Sequence, residues 1–143
     1  MAASYSLSID EIAPRYLGRS FTAEDGLGTA AIDEAQRRLG VRIPASLAYY
    51  YQRAGRCAAL NALHHRLHSP AELVVENDYL LFMDENQSVV SWGFRRADCD
   101  QDDPTVWQRN NTPPHAWYSE EKPFTRFLAS MFDWYVDMGM LRR

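Results

Sequence analysis

Two runs near the middle of the chain limit its fold more than any other feature. Tyr79–Met83 reads YLLFM, apolar at every position, and Ser88–Phe94 reads SVVSWGF. Both are rich in the β-branched and aromatic residues that suit a pleated surface. Asp84-Glu85-Asn86-Gln87 separates them, a four-residue polar loop of the kind built on a type I turn. The pair reads as a hairpin. A strand with no polar position can leave neither face to water. Ser91 interrupts the second strand on one face only. The hairpin is therefore expected at the centre of its sheet, with helices over one face.

The flanking sequence supplies those helices. Ser8 is placed to cap a short first helix over Ile9–Leu17, with Asp10 and Glu11 in its first turn. Gly18 to Gly28 reads as loop. Ala30–Leu39 carries Ile32, Ala35 and Leu39 along one side, and Gly40 offers a left-handed stop. Pro44 suits the first position of a helix that runs through Leu47, Tyr50 and Tyr51 to Gly55. Between Cys57 and Pro70, Ala58–Leu63 has helical propensity and Ser69-Pro70 breaks it. Ala71–Leu73 reads as a short helical turn. Val106-Trp107 starts a further strand, and Asn110–His115 reads as loop. Thr125 is expected to cap a last helix over Arg126–Met138, stopped by Gly139. Phe124, Leu128, Met131, Tyr135 and Met138 form its apolar stripe, which should pack on the sheet. The expected class is α+β: N-terminal helices, a curved, mainly antiparallel sheet and a C-terminal helix on that sheet.

With 143 residues, 46% of them hydrophobic, the chain can build one domain with a core that needs no disulfide or metal. Residues 1–28 are the less certain part, an extension or a helix. Fifteen basic and 19 acidic residues leave a net charge of −4. That argues against nucleic acid as a partner, since such binders need a basic footprint, and it permits a basic protein. Cys57 and Cys99 form no metal-binding spacing and read as reduced thiols of a cytoplasmic protein. MAASYSLSIDE has neither a basic nor an apolar region of a signal peptide. No apolar run approaches the roughly 20 residues that cross a bilayer. Asn86-Gln87-Ser88 and Asn110-Asn111-Thr112 match a glycosylation sequon that carries no meaning in the cytoplasm.

Constellations for chemistry are thin. On a helix, His64 and His68 would share a face as zinc ligands do, but His65 stands where a general-base glutamate would be needed. Asp98, Asp100, Asp102 and Asp103 resemble the start of a calcium loop, yet Asp103 occupies the glycine position and Arg109 the final glutamate position. No G-x-S-x-G motif anchors a serine nucleophile. Cys57 has no positioned base, Gly26-Leu27-Gly28 lacks a third glycine, and Glu120-Glu121 reads as a solvated pair. No cofactor, metal or catalytic residue is expected. Trp92, inside the second strand, is expected in the core. Trp107 and Trp117 sit beside loops, where aromatics either pack or anchor a partner.

From Ile43-Pro44 through Phe94 and beyond, the chain resembles the SUKH superfamily, which includes bacterial immunity proteins and fungal regulators of cell-wall synthesis. The matching pieces occur in family order. Leu39-Gly40 leads to Ile43-Pro44 and a Leu/Tyr-rich helix closing at Ala54-Gly55. Leu60-Asn61, His64-His65-Arg66-Leu67 and Pro70-Ala71-Glu72-Leu73 follow. Tyr79-Leu80-Leu81-Phe82 then runs into Glu85-Asn86-Gln87 and Val89-Val90-Ser91-Trp92-Gly93. Asp102-Asp103-Pro104-Thr105-Val106-Trp107, Trp117-Tyr118, Phe124 and Phe127-Leu128 complete the set. The resemblance spans about residues 30–135 and implies the same α+β fold, no catalytic residues, and neutralisation of a toxin, often a nuclease, by direct binding. A regulatory module that recruits another cellular protein is the alternative. An enzyme or small-ligand binder has no site that can be named. The residues assigned to a protein partner are Asp98, Asp100, Asp102 and Asp103, with Trp107 as anchor: four crowded carboxylates repel one another, add little to folding, and can serve recognition. Glu85, Asn86 and Gln87 are expected to form a tight turn whose side chains bond backbone groups, Asn86 above all. With Trp92 and Gly93 they make the structural motif.

Overall fold

In the computed structural model, which describes residues 3–141, helices come first, strands next and one helix last. The helices α1 (Ser4–Asp10), α2 (Thr29–Leu39), α3 (Ala45–Ala54) and α4 (Ala58–Asn61) precede the strands β1 (Arg66–Leu67), β2 (Val74–Glu76), β3 (Tyr79–Asp84), β4 (Val90–Arg95), β5 (Thr105–Asn110) and β6 (Trp117–Pro123). Helix α5 (Phe124–Asp137) closes the chain. The class is α+β, as expected. No helix among the described residues is long and apolar enough to cross a membrane.

The two apolar runs are β3 and β4, and they sit inside the sheet order β1-β3-β4-β5-β6, antiparallel throughout. On its other edge β3 is flanked end to end by β1 and β2. The register slips between Leu81 and Met83. This bulge turns Phe82 and Met83 to the same side, so both join Leu80, Trp92 and Phe94 in the core under the helices. Leu81 faces the other way and is still only 3% exposed. An all-apolar strand thus has both faces covered. Ser88 and Val89 belong to the turn and not to β4, because Ser88 adopts φ +58° and ends the ladder.

What covers the second face is aromatic. Tyr79 on β3 stacks on Trp117 of β6 with ring centres 3.5 Å apart and planes 6° apart. Three strand spacings would hold these strands roughly 14 Å apart in a flat sheet. The stack therefore requires the sheet to curl toward this face. Arg109 of β5 reaches Glu76 of β2 at 2.6 Å across the same hollow. Gly93 lies on this face opposite Leu81, and a Cβ there would come within 2.6 Å of the Leu80 carbonyl oxygen. Gly93→Ala is expected to cost about 1–3 kcal/mol through backbone displacement. A denaturation midpoint equal to wild type would show that the strands can part without penalty.

The helices fill the other face. Gly40 (φ +66°) stops α2, and Pro44 stands just before α3. The N-terminal segment folds differently from its expectation. α1 begins at Ser4, and Ser8 is inside it with its hydroxyl donating 3.1 Å back to the Ser4 carbonyl. A π-helical turn, Ala13–Leu17, continues the path to Gly18. Ile9, Ile12, Ala13 and Tyr16 are buried in the common core, so this segment is an integral part of the fold. In α5 the expected stripe holds for Phe124, Leu128, Met131 and Tyr135, but Met138 is 58% exposed. The helix ends at Asp137, and Gly139 (φ +78°) turns the chain before Met138 can reach the core.

Candidate functional site

The acidic run is built into the fold more tightly than expected. Asp98 closes a 3₁₀ turn, Arg96–Asp98, and accepts Arg95 Nε at 3.0 Å. Asp102 pairs with Arg42 at 3.7 Å, and its carbonyl accepts the Ser46 N–H at 2.8 Å in the first turn of α3. Asp103 accepts both the Thr125 N–H and, at 2.7 Å, the Thr125 hydroxyl. It therefore caps α5, the role first assigned to Thr125. The idea that these carboxylates add little to folding is corrected for Asp98, Asp102 and Asp103: neighbouring N–H, hydroxyl and guanidinium groups offset their repulsion. Asp103→Ala should lower stability by about 0.5–2 kcal/mol as a lost helix cap. Asp100→Asn, at an exposed side chain, should stay within about 0.5 kcal/mol. Equal thermal midpoints for the two variants would contradict that division.

Trp107 is joined to this turn through one arginine. The Arg95 guanidinium, held by Asp98, lies 4.9 Å over the Trp107 ring. Trp107 itself faces the aromatic hollow of the sheet beside Tyr79, and its indole N–H is buried without a hydrogen-bond partner among the described residues. The structure thus brings Asp98 and Trp107 together, while Asp102 and Asp103 hold α3 and α5.

The Glu85-Asn86-Gln87 turn is tight, and Glu85 organises it. Its Oε1 accepts the N–H groups of Gln87 (3.0 Å) and Val89 (3.1 Å). Asn86, expected to play this part, contributes instead its backbone N–H, which donates to His65 Nδ1 at 3.2 Å. Trp92 is 7% exposed and lies against Phe127 of α5. Its indole N–H donates to Glu120 Oε2 at 2.8 Å.

A Ser, a His and an Asp do meet, although no motif announces them. Asp84 and Ser91 are register partners on β3 and β4, and His68 follows β1. Ser91 donates to Asp84 Oδ1 at 2.7 Å, and His68 Nε2 lies 2.9 Å from Asp84 Oδ2. The carboxylate is in the middle. Nucleophilic catalysis needs the imidazole there, to take the serine proton. As arranged, the trio locks three strands and activates nothing. The two thiols are also quiet: Cys57 and Cys99 are buried and free, and burial, then the charges of Asp98 and Asp100, push the Cys99 thiol up to about 12. A thiol that keeps its proton is a poor nucleophile. His64 and His68 do not share a helix face, and no group of three metal-ligating side chains converges among the described residues.

These polar groups set an acid limit on stability. Burial pulls the Asp84 carboxyl upward, but hydrogen bonds from Ser91 and His68, with the nearby charges of His68 and Arg66, outweigh it and leave its pKa lowered. The Arg19 hydrogen bond, with the Thr22 N–H, holds Asp25 well below the carboxylate range. Burial, then His64, lowers His65. A lowered carboxylate stabilises above its unfolded pKa of about 3.9 and loses that contribution as the pH falls through the folded value. A lowered histidine begins to lose stability as the pH falls below about 6.5. Unfolding free energy should therefore decline gently below pH 6.5 and steeply below about 4. Asp25→Asn should flatten the steep limb. An unchanged acid limb in that variant would remove Asp25 from the account.

The residue that sequence reasoning passed over is Trp134. It lies off the buried stripe of α5 and is 40% exposed. His65 stacks on it with planes 6° apart, and His64 lies 5.4 Å from its ring. Met138, one turn on, is exposed beside it. Between Trp134 and the sheet is a cavity of about 210 Å³ lined by His65, Trp92, Phe127 and Glu120, among others. A tryptophan off the apolar stripe of an amphipathic helix, four residues before an exposed methionine, is the signal that could have found it. Comparison of the chain with protein-family models, curated proteins and solved structures found no match.

Proposed function

We propose that the chain is a non-catalytic domain that works by binding another protein, and that it neutralises a cognate toxin in the manner of an immunity protein. Trp134 carries this proposal. A large indole, 40% exposed, is backed by two histidine rings and extended by Met138. Tryptophan is among the residues most enriched at the hot spots that carry the binding energy of a protein interface. The chemical groups turn inward instead: Ser91 and His68 are both spent on Asp84, and both thiols are buried. The net charge of −4 suits a basic target such as a nuclease, and exposed Asp100 and Asp102 can steer its approach. The ordered SUKH-like motifs support the same assignment. Such a protein meets its toxin in the cytoplasm, where two unpaired buried thiols are at home.

The test is co-expression. The chain should restore growth to cells that express a toxin encoded beside its gene, and Trp134→Ala should restore it less well. Growth arrest that the wild-type chain leaves untouched, for every neighbouring toxin, would reject the immunity function.

A further inference from the structure

The cavity beneath Trp134 is chemically particular. Its walls are aromatic: His65 and Trp92 ring centres are 5.1 Å apart, and Trp92 and Phe127 are 5.8 Å apart. One carboxylate enters it. Glu120 spends Oε2 on the Trp92 indole, while Oε1 bonds none of the described residues. Lys122 lines the same space. The volume, about 210 Å³, is below the roughly 300–1,000 Å³ of small-molecule pockets. It suits one side chain.

We infer that this slot receives an arginine side chain from the protein partner, its guanidinium stacked on the aromatic walls and bonded to Glu120. This rests on the protein-binding function proposed above and names the chemistry of the contact. An apolar side chain would strip water from the free carboxylate oxygen and return nothing. An anion could pair with Lys122 but would be repelled by Glu120 and leave its second oxygen unsatisfied. A guanidinium satisfies Glu120 and is attracted by the ring faces of Trp92 and Trp134. Arginine suits the slot better than lysine because its head is planar and weakly hydrated. Lys122 lines the slot as well, and its charge would oppose an incoming cation.

The experiment titrates the ¹⁵N-labelled protein with N-acetyl-arginine methylamide and, separately, with the norleucine analogue. The four tryptophan indole resonances report the site. The arginine probe should shift Trp92 and Trp134 and leave Trp107 and Trp117 in place. Glu120→Gln, which still accepts from Trp92, should bind the probe about tenfold more weakly. Lys122→Ala should bind it more tightly. Equal shifts with norleucine, unmoved Trp92 and Trp134 resonances, or Glu120→Gln binding like wild type would each overturn the inference. The two proposals fail differently. If the domain binds no protein, the probe still titrates the slot but cell extract yields no partner. If only the arginine slot is wrong, a partner is captured and the probe leaves these indoles unmoved.

Discussion

Trp92→Ala is expected to lower the unfolding free energy by about 3–5 kcal/mol, the range for aromatic truncation in a core. The indole is 7% exposed between β4 and α5, against Phe127 and His65. Its removal opens a cavity between a sheet and a helix that are each held elsewhere: β4 by two neighbouring strands, α5 by Phe124, Leu128, Phe132 and Tyr135 in the core. Neither can collapse into the gap. The substitution also deprives Glu120 of the N–H it accepts at 2.8 Å. Trp92→Phe separates the two effects in part, because it keeps the six-membered ring in the core and loses the five-membered ring with the hydrogen bond. It should cost about 1–3 kcal/mol. Chemical denaturation followed by far-UV circular dichroism measures both. A Trp92→Ala midpoint close to wild type would mean that the indole contributes little packing and is free to serve another purpose.

Trp134→Ala should do the reverse, leaving the fold nearly intact and weakening the partner complex. The aromatic pair with His65 is worth about 0.5–1.5 kcal/mol, a modest loss of stability. In a complex the same indole would be buried together with Met138 and the histidine rings against it. Hot-spot truncations of this kind cost about 2 kcal/mol or more, about thirtyfold in affinity. The change should fall on the dissociation rate. Asp100→Asn and Asp102→Asn, at exposed carboxylates, should instead slow association and reduce its salt dependence. Surface plasmon resonance against the captured partner distinguishes these effects. A Trp134→Ala complex that dissociates like wild type would move the interface elsewhere, with the hollow beside Trp107 as the next surface to probe.

The central hairpin was legible because five apolar residues in a row admit few solutions. The edge strand β6 was not. WYSEEKP is rich in charge, carries a bulge at Glu121 (φ +60°) and ends in proline. These are the devices that keep an edge from pairing with another chain, and they read as loop. The β2–β3 connection, Asn77-Asp78, places both residues at positive φ and forms a hairpin turn that was not recognised either. The stripe of α5 was read correctly up to its last member, since periodicity does not say where a helix stops. The acidic run shows a different limit. Composition reveals four like charges, but their partners, Arg95, Arg42 and Thr125, are brought to them by the tertiary fold. The same holds for Asp84 on β3, Ser91 on β4 and His68 just after β1.

The most direct test of a protein-binding function is quantitative capture from extract of the native cell, with the wild-type chain and Trp134→Ala as parallel baits. The account predicts one protein, basic in charge, enriched in near-stoichiometric amount by the wild type and strongly depleted with the variant, while both baits melt at similar temperatures. Capture of no protein above the control, or equal capture by both baits, would contradict it.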